Sequence, residues 1–124
     1  MFRESLIDLL LEYVTRRREY IEKAWTYLVK IRDTCRRLDP DCRVVVFGSF
    51  VKGTMRSDSD IDVLVITELA GDPLLRGKIF REVVNEVGID NPFELHIITG
   101  REYEEVYRKL IDVYQEVVSD HKSH

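Results

Sequence analysis

The chain lacks several features that would place it quickly. No segment approaches the roughly 20 consecutive apolar residues needed to cross a bilayer. The N-terminal stretch MFRESLIDLLLEYV does not read as a leader, because its apolar run is short and is interrupted by Glu4, Asp8 and Glu12. There are two cysteines, Cys35 and Cys42, with neither a CxxC spacing nor a nearby His to complete a zinc set. The expectation is a pair of reduced, structural thiols in a cytoplasmic chain. Carboxamides are scarce, limited to Asn85, Asn91 and Gln115, while charged residues reach 34%. High charge with few amides hints at a thermophilic source. A basic excess is also missing. Net charge is −4, with ten Lys or Arg against eight Asp or Glu in residues 1–43, and nine against fifteen in residues 44–124. A chain so balanced has no strong general attraction to nucleic acid. Internal repeats and low-complexity tracts are absent too.

What is present suggests one domain of 124 residues, long enough to bury its own core. Residues 2–38 contain no Gly or Pro and read as helix, either one long helix or two meeting near Thr15 to Glu19. Ile7, Val14, Ile21, Leu28 and Cys35 recur every seventh residue, and Leu10, Ala24, Ile31 and Leu38 follow four of them at three residues. This apolar stripe is broken by Arg17. It suits packing on the chain's own sheet or a seam with a partner or second copy. Arg16, Arg17 and Arg18 read as a solvated face, and Tyr20, Trp25 and Tyr27 as core aromatics that could instead cover a base. Asp39-Pro40 stops the helix. Further on, Gly71-Asp72-Pro73 opens a helix that keeps its spacing to Gly88, and Asp90-Asn91-Pro92 turns into a strand, Phe93 to Thr99. A last helix is predicted from about Arg101 to Val118, with a frayed tail, SDHKSH, after it.

The chemistry concentrates in Val44 to Ile66, VVVFGSFVKGTMRSDSDIDVLVI. Val44 to Phe47 is a buried strand ended by Gly48 and Ser49, and Ile61 to Ile66 is a second strand. Side chains alternate along a strand, so Asp60 and Asp62 share a face opposite Ile61, Val63 and Val65. Two adjacent carboxylates repel, and a divalent cation relieves the repulsion; hard cations prefer such oxygens. A Gly-Ser turn before a short helical segment exposes N–H groups that suit phosphate oxygens. Gly48 lets the backbone approach and the Ser49 hydroxyl adds a donor. Metal-bound nucleoside triphosphate is the ligand that needs both devices.

Three other readings of the stretch fare worse. A P-loop needs Lys directly after its second Gly, where this chain has Thr54. The Asp58, Asp60, Asp62 spacing opens an EF-hand loop, but Val63 and Leu69 occupy the positions that require Gly and Glu. A plain turn rich in Ser and Asp accounts for Asp58 better than for Asp60 and Asp62 together.

GSFVKG, six residues, and then DID heading an apolar strand resembles the signature of the DNA polymerase β-like nucleotidyltransferases, most closely their minimal members. The resemblance implies an α/β fold: a small mixed β-sheet flanked by helices, with a long N-terminal helical region and a C-terminal helix. Residues 1–40 would form that helical region and residues 41–124 the catalytic core of a single nucleotidyltransferase domain. It implies Mg²⁺ held by Asp60 and Asp62, with a third acid on the strand that follows. In Phe93-Glu94-Leu95-His96, Glu94 and His96 share a face, so Glu94, or His96 in its place, would complete the metal site and accept a proton. Gly48 and Ser49 would hold the triphosphate, with Lys52 reaching toward it. An acceptor hydroxyl on a protein or small molecule would attack the α-phosphorus of an NTP, most simply ATP, and release pyrophosphate. Minimal members are also found beside a small helical HEPN protein as toxin–antitoxin pairs, which implies a possible partner of that kind. The N-terminal helix offers another assembly, a homo-oligomer formed through it. The alternative function is a module that binds NTP or a partner without turnover.

Overall fold

The computed structural model describes residues 5–119. Residues 120–124 of the frayed tail expected at the C-terminus, with its histidines, and residues 2–4 of the expected helix lie outside that range.

The N-terminal region is two helices, α1 (Leu6–Glu22) and α2 (Ala24–Leu38), which meet at Lys23, beyond the predicted break. Ser5 starts α1 with a capping box: its hydroxyl accepts from the Asp8 N–H while the Asp8 carboxylate accepts from the Ser5 N–H. The apolar stripe divides at this junction. Ala24, Leu28, Ile31 and Cys35 on α2 are buried in the core, whereas Ile7, Leu10 and Val14 on α1 are exposed.

Strand β1 (Arg43–Phe47) pairs antiparallel with β2 (Ile61–Ile66). Between them lies a short helix, α3 (Ser49–Lys52). The next helix, α4 (Pro73–Val87), follows a 3₁₀ turn, Glu68–Gly71. Asp72 caps α4 by accepting from the Leu74 N–H, and Pro73 fills the first turn, where a missing N–H costs nothing. Strand β3 (Phe93–Ile98) then lies parallel to β2. Residues 100–110 form a helical segment, α5, whose middle, Tyr103–Tyr107, is a π-helical turn. A fourth strand, β4 (Tyr114–Glu116), completes the mixed sheet, whose order is β3-β2-β1-β4.

Two elements differ from the sequence expectation. The last helix stops at Leu110, and Tyr114–Glu116 is a strand, β4, on the open edge of β1. Helical spacing alone favoured continuation to Val118. The unpaired edge of β1, the Arg43–Glu116 ion pair at 2.9 Å and the burial of Val117 favour the strand. Cys35 and Cys42 are not free thiols either; they form a disulfide across the Asp39-Pro40 turn. The turn brings the end of α2 back to the start of β1, leaving the two Cα atoms 6.1 Å apart.

Alternation along the strands creates two unlike faces. One carries Val44, Val46, Ile61, Val63, Val65 and Ile97 against α2 and α4. The other carries Val45, Leu64, Ile66 and Ile98 against Tyr103 of α5. Burying each such side chain contributes about 1.5–3 kcal/mol, so the first face dominates stability. Tyr20, Tyr27 and Phe93 stack into it, and the Tyr20 hydroxyl donates to the Val87 carbonyl at 2.6 Å. Those aromatics are core rather than a cover for a base.

Candidate active site

The second face changes character toward one end. In the β1–β2–β3 register Phe47 is opposite Asp62, Asp62 is opposite Glu94, and Leu64 is opposite His96. Asp62, Glu94 and His96 therefore project on the face that further along is apolar. Each offers a ligand atom, and these atoms all lie within 4.8 Å of one another. His96 Nε2 is 3.8 Å from both Asp62 Oδ1 and Glu94 Oε1, and its ring sits between those of Phe47 and Tyr107. This Nε2 is buried and has no hydrogen-bond partner, which is costly for a polar atom. Burial first, and the charge of Glu94 second, push the Asp62 carboxyl above the ordinary aspartate range; His96 offsets part of this. Crowded carboxylates and an orphaned imidazole nitrogen fit a divalent cation, which would serve all three at once.

Asp60 does not belong to that group. It precedes β2, and its Oδ1 lies 3.3 Å from Arg17 Nη2. Arg17 also donates to the main-chain carbonyls of Ser57, at 3.0 Å, and Ser59. Its side chain is 12% exposed, so the solvated-face reading fails for this arginine. The sequence did carry a signal: Arg17 interrupts an apolar stripe, as an inward-facing residue with a polar partner would.

Gly48 adopts φ +82° and ψ −154°, a combination close to glycine's own region, directly beside Asp62. Ser49 is the first residue of α3. Lys52, expected near the triphosphate, instead pairs with Asp112 at 3.1 Å, and that contact holds the Asp112 carboxyl below the usual range. Asp112 lies on the loop between α5 and β4, which the predicted long helix did not contain.

Residues 28–120 match the nucleotidyltransferase domain family. The chain belongs to the nucleotidyltransferases, in the DNA polymerase β-like superfamily. It is 32% identical over 93 residues to the Haemophilus influenzae protein named "Probable protein adenylyltransferase MntA", covering 72% of this chain and 79% of that one. A solved structure described as "Crystal structure of putative nucleotidyltransferase" superposes with a TM-score of 0.62 at 26% identity, over 72% of this chain and 95% of the other. Another, from Sulfolobus solfataricus, gives 0.53 at 16% identity over 86% and 83%, a likeness of fold. The matched family span covers the face with Gly48, Asp62, Glu94 and His96, and α1 with Arg17 precedes that span. Among the described residues, no helix is long and apolar enough to cross a membrane.

Proposed function

We propose that this nucleotidyltransferase moves AMP from ATP to a hydroxyl of a protein acceptor. The observation that carries the reading is the convergence of Asp62, Glu94 and His96 at one end of the sheet, beside the Gly48 turn. The name of the Haemophilus relative supports a protein as acceptor and an adenylyl group as cargo.

Asp62 and Glu94, joined by Asp60 or His96, would hold Mg²⁺ or a similar divalent ion. When bound, such ions neutralise the triphosphate and stabilise the entering and leaving oxygens. Gly48 leaves room for the triphosphate against the backbone, and the Ser49 hydroxyl donates to a phosphate oxygen. Lys52 would exchange Asp112 for phosphate. The acceptor oxygen bonds to the α-phosphorus as the bond to the β-phosphate bridge breaks, and pyrophosphate departs. The hydroxyl proton passes to the Glu94 carboxylate, which is half exposed and open to an incoming group, or to His96 in its place. Positioning and charge neutralisation supply most of the acceleration in such transfers.

We read the whole chain as one such domain, residues 1–40 being its helical region and 41–124 its catalytic core. The location we propose is the cytoplasm, where ATP is abundant. The Cys35–Cys42 disulfide removes the argument from free thiols, yet disulfides do occur in intracellular proteins of hyperthermophiles. A HEPN-type helical protein is the partner we favour, with this chain as antitoxin and the partner as acceptor. The exposed apolar residues of α1 also suit a homo-oligomer.

The test is incubation with labelled ATP, Mg²⁺ or Mn²⁺, and the product of the neighbouring gene. Label on that product supports the reading. A protein that binds Mg·ATP but labels neither the neighbour nor itself is a binding module instead.

A further inference from the structure

Arg17 reaches across the fold in a way that the catalytic reading leaves unused. It sits on α1, a helix without a buried residue, yet its own side chain is nearly covered. Its Nε and Nη2 bind the carbonyls of Ser57 and Ser59, on the turn that leads into β2. That turn is otherwise thinly held. Ser59 N–H bonds the Arg56 carbonyl and the Ser59 hydroxyl accepts from Arg56 N–H, both local contacts. A groove of about 420 Å³ opens between α1 and the turn, and Arg17, Ser57 and Asp58 all line it. Arg17 thus spans a gap instead of filling a packed seam.

We propose that Arg17 is a positioning residue for the metal site, bracing the turn that delivers Asp60. The inference rests on the reading of Asp60 as a metal ligand. The two carbonyl bonds fix the backbone at Ser57 and Ser59. The contact with the carboxylate is single, at 3.3 Å and through one oxygen, so the other oxygen stays free for an ion. The brace comes from α1, outside the span 28–120 that matches the family. The site is therefore tied to α1, and anything that moves α1 moves the lead-in to Asp60.

The experiment measures Mn²⁺ affinity by calorimetry and amide hydrogen exchange across residues 57–62 in the metal-free protein. Arg17→Ala is expected to weaken Mn²⁺ by about tenfold or more, as loss of a residue supporting a ligand commonly does. It should also speed exchange across 57–62 while the melting temperature changes little. Arg17→Lys keeps the charge and one carbonyl bond and should recover part of both. In an Asp60→Asn background the same Arg17 change should no longer alter affinity. Unchanged or tighter Mn²⁺ binding in Arg17→Ala overturns the proposal, as does an effect that persists without the Asp60 carboxylate. If the parent binds no Mn²⁺, the metal reading itself falls, and exchange still decides: faster exchange keeps Arg17 as the brace, unchanged exchange removes it.

Discussion

A Cβ placed on Gly48 would lie 2.7 Å from Oδ2 of Asp62, closer than such carbons approach anything in practice. The glycine before α3 and the first acid of β2 are thus one device: the turn has its shape partly so that the carboxylate can stand where it does. Gly48→Ala should cost about 1–3 kcal/mol through its φ of +82° alone, and should displace Asp62 as well. Chemical denaturation and Mn²⁺ titration are expected to show both losses together. A Gly48→Ala protein of parental stability and affinity would mean that turn and carboxylate are independent.

Asp62 is destabilising when ionised and unaccompanied. Its folded-state pKa is raised by burial and by Glu94, so its contribution to stability is full below the ordinary aspartate value and is lost as pH rises through the folded value. Asp62→Asn should therefore melt higher than the metal-free parent at neutral pH, with the difference closing at about pH 3. The same substitution should abolish Mg²⁺-dependent ATP binding. Melting curves at the two pH values, with and without Mg·ATP, check both halves.

Glu94 and His96 can be separated by binding and transfer measured side by side. With Glu94 as proton acceptor, Glu94→Gln should keep part of the Mg·ATP affinity, through Asp62 with Asp60 or His96, and lose about 10²–10⁴-fold in transfer. If the role belongs to His96, His96→Ala gives that pattern and Glu94→Gln does not. Parental transfer by both variants would reduce β3 to scaffold.

The edge strand β4 should be sensitive to acid. Arg43 grips Glu116 with Nε and Nη2, at 3.2 and 2.9 Å, and lowers the Glu116 pKa. A lowered carboxyl pKa gives stability that is present above the ordinary glutamate value and lost as pH falls through the folded one. Protection of the Gln115 and Val117 amides, taken against their intrinsic exchange rates at each pH, should fall below about pH 4.5, where an ordinary glutamate protonates. Glu116→Gln should exchange faster at neutral pH and lose most of that acid dependence. Both residues are over a third exposed, so the effect on global stability is modest.

Much of this was legible in the order of residues. Three of the four strands and the helix between Pro73 and Val87 followed from apolar alternation and from Gly, Pro and Asp at the breaks. Those signals are local, and local geometry carries them. β4 was missed because Tyr114–Glu116 has no strong strand preference against the helical spacing around it; the open edge of β1 decides. The disulfide was missed because eight residues that contain a turn do not announce how closely their ends return.

Residue order alone narrows the candidates for the chemistry to a Gly-Ser turn, two aspartates separated by one residue, and a glutamate and a histidine sharing a strand face. A period of two along each strand is enough for that. Which of them meet depends on how the elements pack. The parallel register of β2 on β3 sets Asp62 beside Glu94 and brings His96 to both, while a guanidinium from α1 draws Asp60 toward itself and Asp112 takes Lys52. Those outcomes depend on contacts between residues some 30 to 60 positions apart, where chain topology and the pull of opposite charges, rather than local spacing, fix the neighbours.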